Sequence, residues 1–211
     1  MDLEIDLDEI GFEGAFEINN RPGVPGSVIV GGPGSRPRQE ADFYSTPWEC
    51  TRALIDAEEG ILDTSREIWE PACGNGAMSR VLEGAGFSVR STDLHDKGYG
   101  EGECDFLETA KALAPCIITN PPFSLSARFI SHALGALKVP YLALVLKSIY
   151  WHAAKRIPLI ETHPPSRIFP MGWRPDFDGR GAATMDLLWC IWDADSSGFE
   201  YRPLRKPHRK N

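Results

Sequence analysis

The run Tyr141-Leu142-Ala143-Leu144-Val145-Leu146 has no polar position, so a strand formed from it has no face to offer to water. Such a strand must be covered on both sides, as in a parallel sheet held between helices. A second apolar run, Cys116-Ile117-Ile118-Thr119, has the same character. Helix and strand patterns alternate around both. Thr46-Pro47 reads as an N-cap followed by proline at the first helical position, opening a helix over about 46–59 that stops at Gly60. Residues 67–70 form a short strand ending at Pro71, and 76–85 a helix closed by Gly86. A strand over 87–92 follows, and a helix over 124–137 aligns Phe129, Ile130, Ala133, Leu134 and Leu137. Residues 149–161 read as a helix interrupted by Pro158, and late strands fall near 167–169 and 187–192. The alternation predicts an α/β fold, a mostly parallel sheet with helices on both faces.

At 211 residues the chain has room for one domain with its own core and needs no disulfide. Its five cysteines (Cys50, Cys73, Cys104, Cys116, Cys190) show no CxxC spacing, which predicts reduced thiols in a cytoplasmic protein. No apolar run reaches the ~18 residues of a membrane-spanning helix. The acidic N-terminus argues against a secretory signal. Net charge is −8, so any nucleic-acid contact must come from a local basic patch. Residues 1–17 carry seven acids and no Lys or Arg, whereas 202–211 carry five bases and no acid. Three regions are expected. Residues 1–40, acidic and then rich in Gly and Pro, have little to bury beyond Val28-Ile29-Val30 and are expected to stay disordered. Residues 41–201 form the domain. Residues 202–211 form a basic tail, either a solvated end or a phosphate-contacting arm.

The first strand runs into Glu70-Pro71-Ala72-Cys73-Gly74-Asn75-Gly76, whose glycines let backbone approach a ligand closely. In a doubly wound sheet, ligands bind outside the carboxyl ends of the strands. Asp93 ends the next strand, 17 residues after Gly76, where an acid can accept hydrogen bonds from both hydroxyls of a ribose. Gly74-Asn75-Gly76 is followed by Ala77-Met78-Ser79, so the third glycine of a dinucleotide fingerprint is missing. A nucleoside without a pyrophosphate fits this loop better than a nicotinamide dinucleotide. A merely structural tight turn is the other reading. Asn120-Pro121-Pro122-Phe123 directly follows the Cys116–Thr119 strand. A polar amide, two prolines and an aromatic at that lip suit capture of a flat, nitrogen-rich ring.

Together these segments resemble the S-adenosylmethionine-dependent DNA amino-methyltransferases. EPACGNG is similar to their glycine-rich motif, Asp93 in STDLHD to their ribose-binding acid, and Asp105-Phe106 in ECDFLE to the segment after their third strand that flanks adenine. NPPF is similar to their catalytic motif. Asp42-Phe43-Tyr44-Ser45-Thr46-Pro47 resembles the motif before the first helix of phage and bacterial adenine-N6 methyltransferases, and GWRPDF and LLWCIWD resemble the end of short phage-type members. The resemblance spans most of residues 42–193. It implies a doubly wound, seven-stranded Rossmann-like sheet and S-adenosyl-L-methionine as cofactor. The cofactor would be held by Tyr44, Thr46, Pro47, Glu70, Pro71, Ala72, Cys73, Gly74, Gly76, Asp93, Leu94, Asp105, Phe106 and Asn120. It also implies catalysis by Asn120, Pro121, Pro122 and Phe123 on the N6 amine of adenine in DNA, as in restriction-modification. RNA adenine, cytosine N4 and a protein glutamine amide are variants of the same chemistry, although NPPF favours a nucleobase over glutamine. A catalytically idle binding module is the alternative of another class.

An aromatic amine is a poor nucleophile because its lone pair is delocalised into the ring. Acceptors against its hydrogens, the Asn120 side-chain oxygen and the Pro121 carbonyl, favour the localised form, and transfer then depends on proximity and orientation. Phe123 would stack on the base for ~1–3 kcal/mol, offsetting an extrusion cost on the order of a few kcal/mol. The five histidines (His95, His132, His152, His163, His208) have no ligand spacing, so no metal is expected. Cys73 and Cys116 lack the Pro-Cys context of a ring-attacking nucleophile or sit in a buried strand. Trp173, Trp189 and Trp192 read as packing residues. Double-stranded DNA is the expected partner, met by Lys147, Arg174, Arg180, the loop 170–183 and the basic tail. No separate recognition domain is apparent, which predicts a short target or low specificity.

Overall fold

The computed structural model describes residues 45–63, 65–177, 183 and 185–208. The expectations for residues 1–40, Tyr44, Arg180, Arg209 and Lys210 lie outside these residues. In chain order the described elements are α1 (Trp48–Ala57), β1 (Glu67–Glu70), α2 (Ala77–Gly84), β2 (Ser88–Ser91), β3 (Cys116–Thr119), α3 (Ser126–Ser131), β4 (Tyr141–Lys147), α4 (Ile157–Thr162), β5 (Arg167–Pro170), β6 (Leu187–Asp193) and β7 (Glu200–Tyr201).

The strands make one seven-stranded sheet in the order β2-β1-β3-β4-β6-β5-β7. β2, β1, β3 and β4 pair in parallel. β6 enters antiparallel between β4 and β5, and β7 pairs in parallel with β5. From β1 the chain steps outward to β2 and then crosses back to β3 on the other side. That reversal opens a crevice at the carboxyl ends of β1 and β3, where Glu70 and Asn120 stand.

The apolar run of β4 is covered on both sides, as its composition requires. Tyr141, Ala143 and Val145 join Cys50, Leu54, Met78 and Leu82 of α1 and α2 in one buried cluster. Leu142, Leu144 and Leu146 join Phe129, Ile130 and Ala133 of the α3 side in the other. Alternation along the strand sends successive side chains to opposite cores. Full burial of such a leucine contributes ~1.5–3 kcal/mol. The Trp189 indole N–H donates to the Cys50 carbonyl at 2.9 Å and ties α1 to β6.

Several local expectations are corrected. The residue preceding α1 is Pro47, extended and without a capping side-chain bond, so Thr46 is not the N-cap. α3 widens into a π-type turn over His132–Ala136, and the Leu137 amide bonds back to His132. The expected helix over 149–161 is broken into 3₁₀ turns at Ser148–Trp151 and Ala154–Arg156, then α4. Pro158 lies in the first turn of α4, where its missing N–H costs nothing, so it helps open that helix rather than interrupting one. Among the described residues no further strand lies between β2 and Asp105. Residues 92–104 are held by a Thr92–Glu101 bridge and turns, and the seventh strand is instead β7 at the opposite edge. Of the basic C-terminal residues, Arg202 pairs with Glu200 and Lys206 with Glu49, and Leu204 between them is buried.

At the amino end of the sheet a buried ionic cluster closes the structure. The Arg167 guanidinium donates to Glu58 and to Asp193, each at 2.8 Å, and the Tyr141 hydroxyl donates to Glu58 at 2.8 Å. Burial, then the Glu58 charge, holds the Tyr141 phenol far above its ordinary pKa, so it remains a donor.

Candidate active site

A cavity of about 600 Å³ opens at the carboxyl ends of β1, β2 and β3. Its first wall is the glycine loop after β1. Backbone pairing between β1 and β2 continues past the strands: the Thr92 N–H bonds to the Glu70 carbonyl and the Cys73 N–H to the Thr92 carbonyl, both at 3.0 Å. This ladder sets the loop beside Asp93. The Gly74 N–H donates to Asp93 Oδ2 at 2.8 Å and the His95 N–H to Oδ1 at 2.9 Å. A carboxylate held by one bond on each oxygen keeps further acceptor capacity on both. Gly74 and Gly76 both take positive φ, +54° and +77°, which glycine adopts without strain. Gly76 does not line the cavity. A Cβ there would meet the Tyr99 ring at 2.4 Å, so its small size makes room for Tyr99.

The cavity floor holds Glu70, which is buried. The Ser79 hydroxyl donates to Glu70 Oε2, and the Ser91 hydroxyl lies 2.6 Å from that of Ser79. Burial raises the Glu70 carboxyl to about 8; the Ser79 bonds oppose this, and the Asp93 and Glu83 charges add to it. Asp105 caps a 3₁₀ turn, accepting from the Leu107 N–H at 2.9 Å. That turn presents Phe106, buried edge-on against Trp69 at 5.2 Å and tilted against Phe129 at 4.5 Å.

Another wall is Asn120-Pro121-Pro122-Phe123. The Asn120 Nδ2 donates to Thr46 Oγ1 at 3.1 Å, which fixes the rotation of the amide. Its Oδ1 is buried with no hydrogen-bond partner in the protein. An orphan buried acceptor costs ~1–3 kcal/mol unless something binds to it. The loop's own bonds go to other carbonyls, with the Leu125 N–H on Pro122 and the Ser126 hydroxyl on Phe123. The half-buried Phe123 ring carries the Lys147 ammonium 4.9 Å from its centroid.

The cavity thus gathers Thr46, Glu70, Pro71, Ala72, Cys73, Gly74, Asp93, Leu94, Asp105, Phe106, Asn120, Pro121, Pro122 and Phe123. Pro47 and Gly76 lie outside its lining. Ser45, Asn75, Met78, Lys97, Leu125 and Phe129 also line it and were not anticipated. Met78 and Phe129 occupy the opening turns of helices that leave this edge, which is the one signal that would have marked them. Burial lifts the Cys73 and Cys116 thiols to about 12, so neither is a thiolate nucleophile near neutral pH. Arg174 is engaged by both oxygens of Asp186, at 2.7 and 3.3 Å. Among the described residues no group of histidines, cysteines and acids could hold a metal ion, and no helix is long and apolar enough to cross a membrane.

The sequence matches no protein-family model and no curated protein. Solved structures match its fold. A type I restriction-modification system methyltransferase subunit from Streptococcus thermophilus superposes with a TM-score of 0.57 at 12% identity, over 73% of this chain and 45% of that one. A Listeria monocytogenes protein assigned as a class I S-adenosylmethionine-dependent methyltransferase gives 0.55 at 14% identity, over 76% and 65%. A 23S rRNA methyltransferase gives 0.50 at 14%, over 73% and 71%. This is the Rossmann-like class I methyltransferase fold. The chain spans about half the length of the restriction-modification subunits it matches.

Proposed function

We propose that this chain transfers a methyl group from S-adenosyl-L-methionine to the exocyclic N6 amine of adenine in DNA. The observation that carries the proposal is Asn120. Its amide is locked through Nδ2, and its Oδ1 is buried and unpaired at the wall of a cavity that also holds Asp93. The donor set fits the cofactor. Asp93 suits the ribose hydroxyls, Asp105 and Phe106 the adenine, and an acid-lined cavity suits a cation. When bound, S-adenosylmethionine supplies an electrophilic methyl on a positively charged sulfur.

The protein's part is to present the nucleophile. Asn120 Oδ1 accepts one hydrogen of the target amine and the Pro121 carbonyl the other. Both contacts localise the nitrogen lone pair, and both strengthen as positive charge develops on nitrogen, so they favour the transition state over the ground state. Phe123 stacks on the base. The surplus proton leaves to solvent after the N–C bond forms, so no positioned base is required. The prolines restrict the loop in advance and lower its ordering entropy.

Unmodified DNA incubated with methyl-labelled cofactor, then digested for nucleoside mass spectrometry, tests the reading. Label in N6-methyladenine is the expected result. Label in N4-methylcytosine, label only when RNA replaces DNA, or no label with either substrate would each overturn it.

A further inference from the structure

The chain carries 30 acids, yet none falls between Thr109 and Ile160, a stretch that holds six Lys or Arg residues. Part of this stretch reaches the catalytic edge. Lys147 lies at the carboxyl end of β4, three residues beyond Leu144, the register partner of Thr119. At ~3.3 Å per residue it stands about 10 Å further along the sheet direction than the base of the Asn120 loop. Its ammonium sits against Phe123. No ion pair among the described residues involves Lys147 or Lys155. Other basic candidates differ: Arg174 is held by Asp186, Arg202 by Glu200 and Lys206 by Glu49.

The segment between these lysines holds the Ile149 side chain outward. The Ser148 N–H bonds to the Asp186 carbonyl at 2.9 Å. Tyr150 turns inward and is buried, with Trp151 edge-on to it at 4.7 Å and to Trp192 at 6.3 Å. The Arg156 guanidinium donates to the Tyr150 carbonyl and lies 4.0 Å from its ring centroid, closing the loop on itself. Ile149 is left 54% exposed at the tip. Ile149 thus stands exposed two residues from Lys147, whose charge no carboxylate pairs with. Apolar side chains between phosphate contacts are the devices by which proteins part a base step and hold the gap.

We infer that residues 147–155 dock duplex DNA, with Lys147 and Lys155 on its phosphates and Ile149 wedged into the base stack where the target adenine leaves. The duplex is favoured over other partners by positive charge that no carboxylate pairs with, by the exposed Ile149 and by the contact of Lys147 with Phe123. The wedge rests on the methyltransferase reading, whereas the phosphate contacts do not.

The test has two arms. Binding of a fluorescently labelled, mixed-sequence 24-base-pair duplex is followed by anisotropy across a salt series, which needs neither cofactor nor a known target. Lys147→Gln and Lys155→Gln should each lower the slope of log affinity against log salt by about 1, while Lys111→Gln, at the opposite end of the sheet, should not. An unchanged slope in both variants overturns the docking surface. In the second arm, native and heat-denatured unmodified DNA are methylated by the wild type and Ile149→Ala. The variant should lose about tenfold on native DNA and stay unchanged on denatured DNA. An unchanged rate on native DNA, or equal losses on both, overturns the wedge. A duplex bound through these lysines but never methylated would instead refute the methyltransferase reading and leave the docking surface standing.

Discussion

The two ends of the sheet treat polar groups in opposite ways. At the amino end, Glu58, Arg167, Asp193 and Tyr141 are buried and meet one another at 2.8 Å. At the carboxyl end, Asn120, Asp93 and Asp105 are fixed from behind by Thr46, by backbone amides and by a 3₁₀ turn, and face a cavity. At the first, the bonds run among its own side chains, although Glu58 Oε1 and Arg167 Nε stay unpaired there. The other keeps acceptors in place for something else. The difference teaches that burial alone does not mark function. Arg167 is buried like Glu70 and Phe106 of the site, yet its partners lie within the fold.

Breaking the closed end should give the largest effect. Arg167→Ala leaves the Glu58 and Asp193 carboxylates buried without their cation, which typically costs ~3–5 kcal/mol. Urea unfolding should show the loss as a lowered midpoint at unchanged slope. The folded fraction should still bind cofactor as the wild type does. A cost below about 1 kcal/mol would mean that the cluster is not the closed device described.

Asn120→Ala should do the reverse at the open end. Losing an acceptor used in the transition state lowers turnover by on the order of 10²–10³. Stability should hold or rise, because an orphan buried oxygen disappears with the side chain. Cofactor affinity measured by calorimetry should be nearly intact. Normal methylation by this variant would remove Asn120 from catalysis.

The same contrast explains what was legible in the sequence. The open end was legible because its chemistry is local. Asn120 to Phe123 are contiguous, Glu70 to Gly76 are contiguous, and Asp93 follows at strand-helix-strand spacing. The parallel core was legible because Tyr141 to Leu146 have no polar face. The closed end was not. Glu58 and Arg167 lie 109 residues apart, and charged residues are by default expected at the surface. Thr46 was misread for a related reason. A hydroxyl before a proline looks like a helix cap, but its partner is Asn120, 74 residues away. For Arg174 the sequence left phosphate contact and a solvated charge both open, and only the fold brings Asp186 against it.

Asp93→Ala should produce a smaller loss, confined to binding. A carboxylate accepting hydrogen bonds from a ligand contributes ~1.5–3 kcal/mol, so cofactor affinity by calorimetry should fall roughly 10- to 150-fold. The Gly74 and His95 amides lose their acceptor as well, so some of the loss will reflect a looser loop. Unchanged affinity would mean that the acid serves the loop and not the ligand.

Glu70 sharpens the comparison most finely, because it lies at the open end yet is bonded as at the closed one. Burial raises its carboxyl from 4.5 to about 8, with Asp93 and Glu83 adding to the rise and Ser79 opposing it. The native state therefore keeps a proton that the unfolded chain releases above about 4.5. Where the native form binds more protons, stability falls as pH rises. The Glu70 contribution should be full below about 4.5, decline between 4.5 and 8, and level off above. For one group the decline is at most about 1.4 kcal/mol per pH unit. Glu70→Gln keeps the shape and cannot ionise, so its urea midpoint should flatten across that window relative to the wild type. If the two proteins show the same slope, Glu70 ionises in the fold as it does in water, and the cavity floor is wetter than its burial implies.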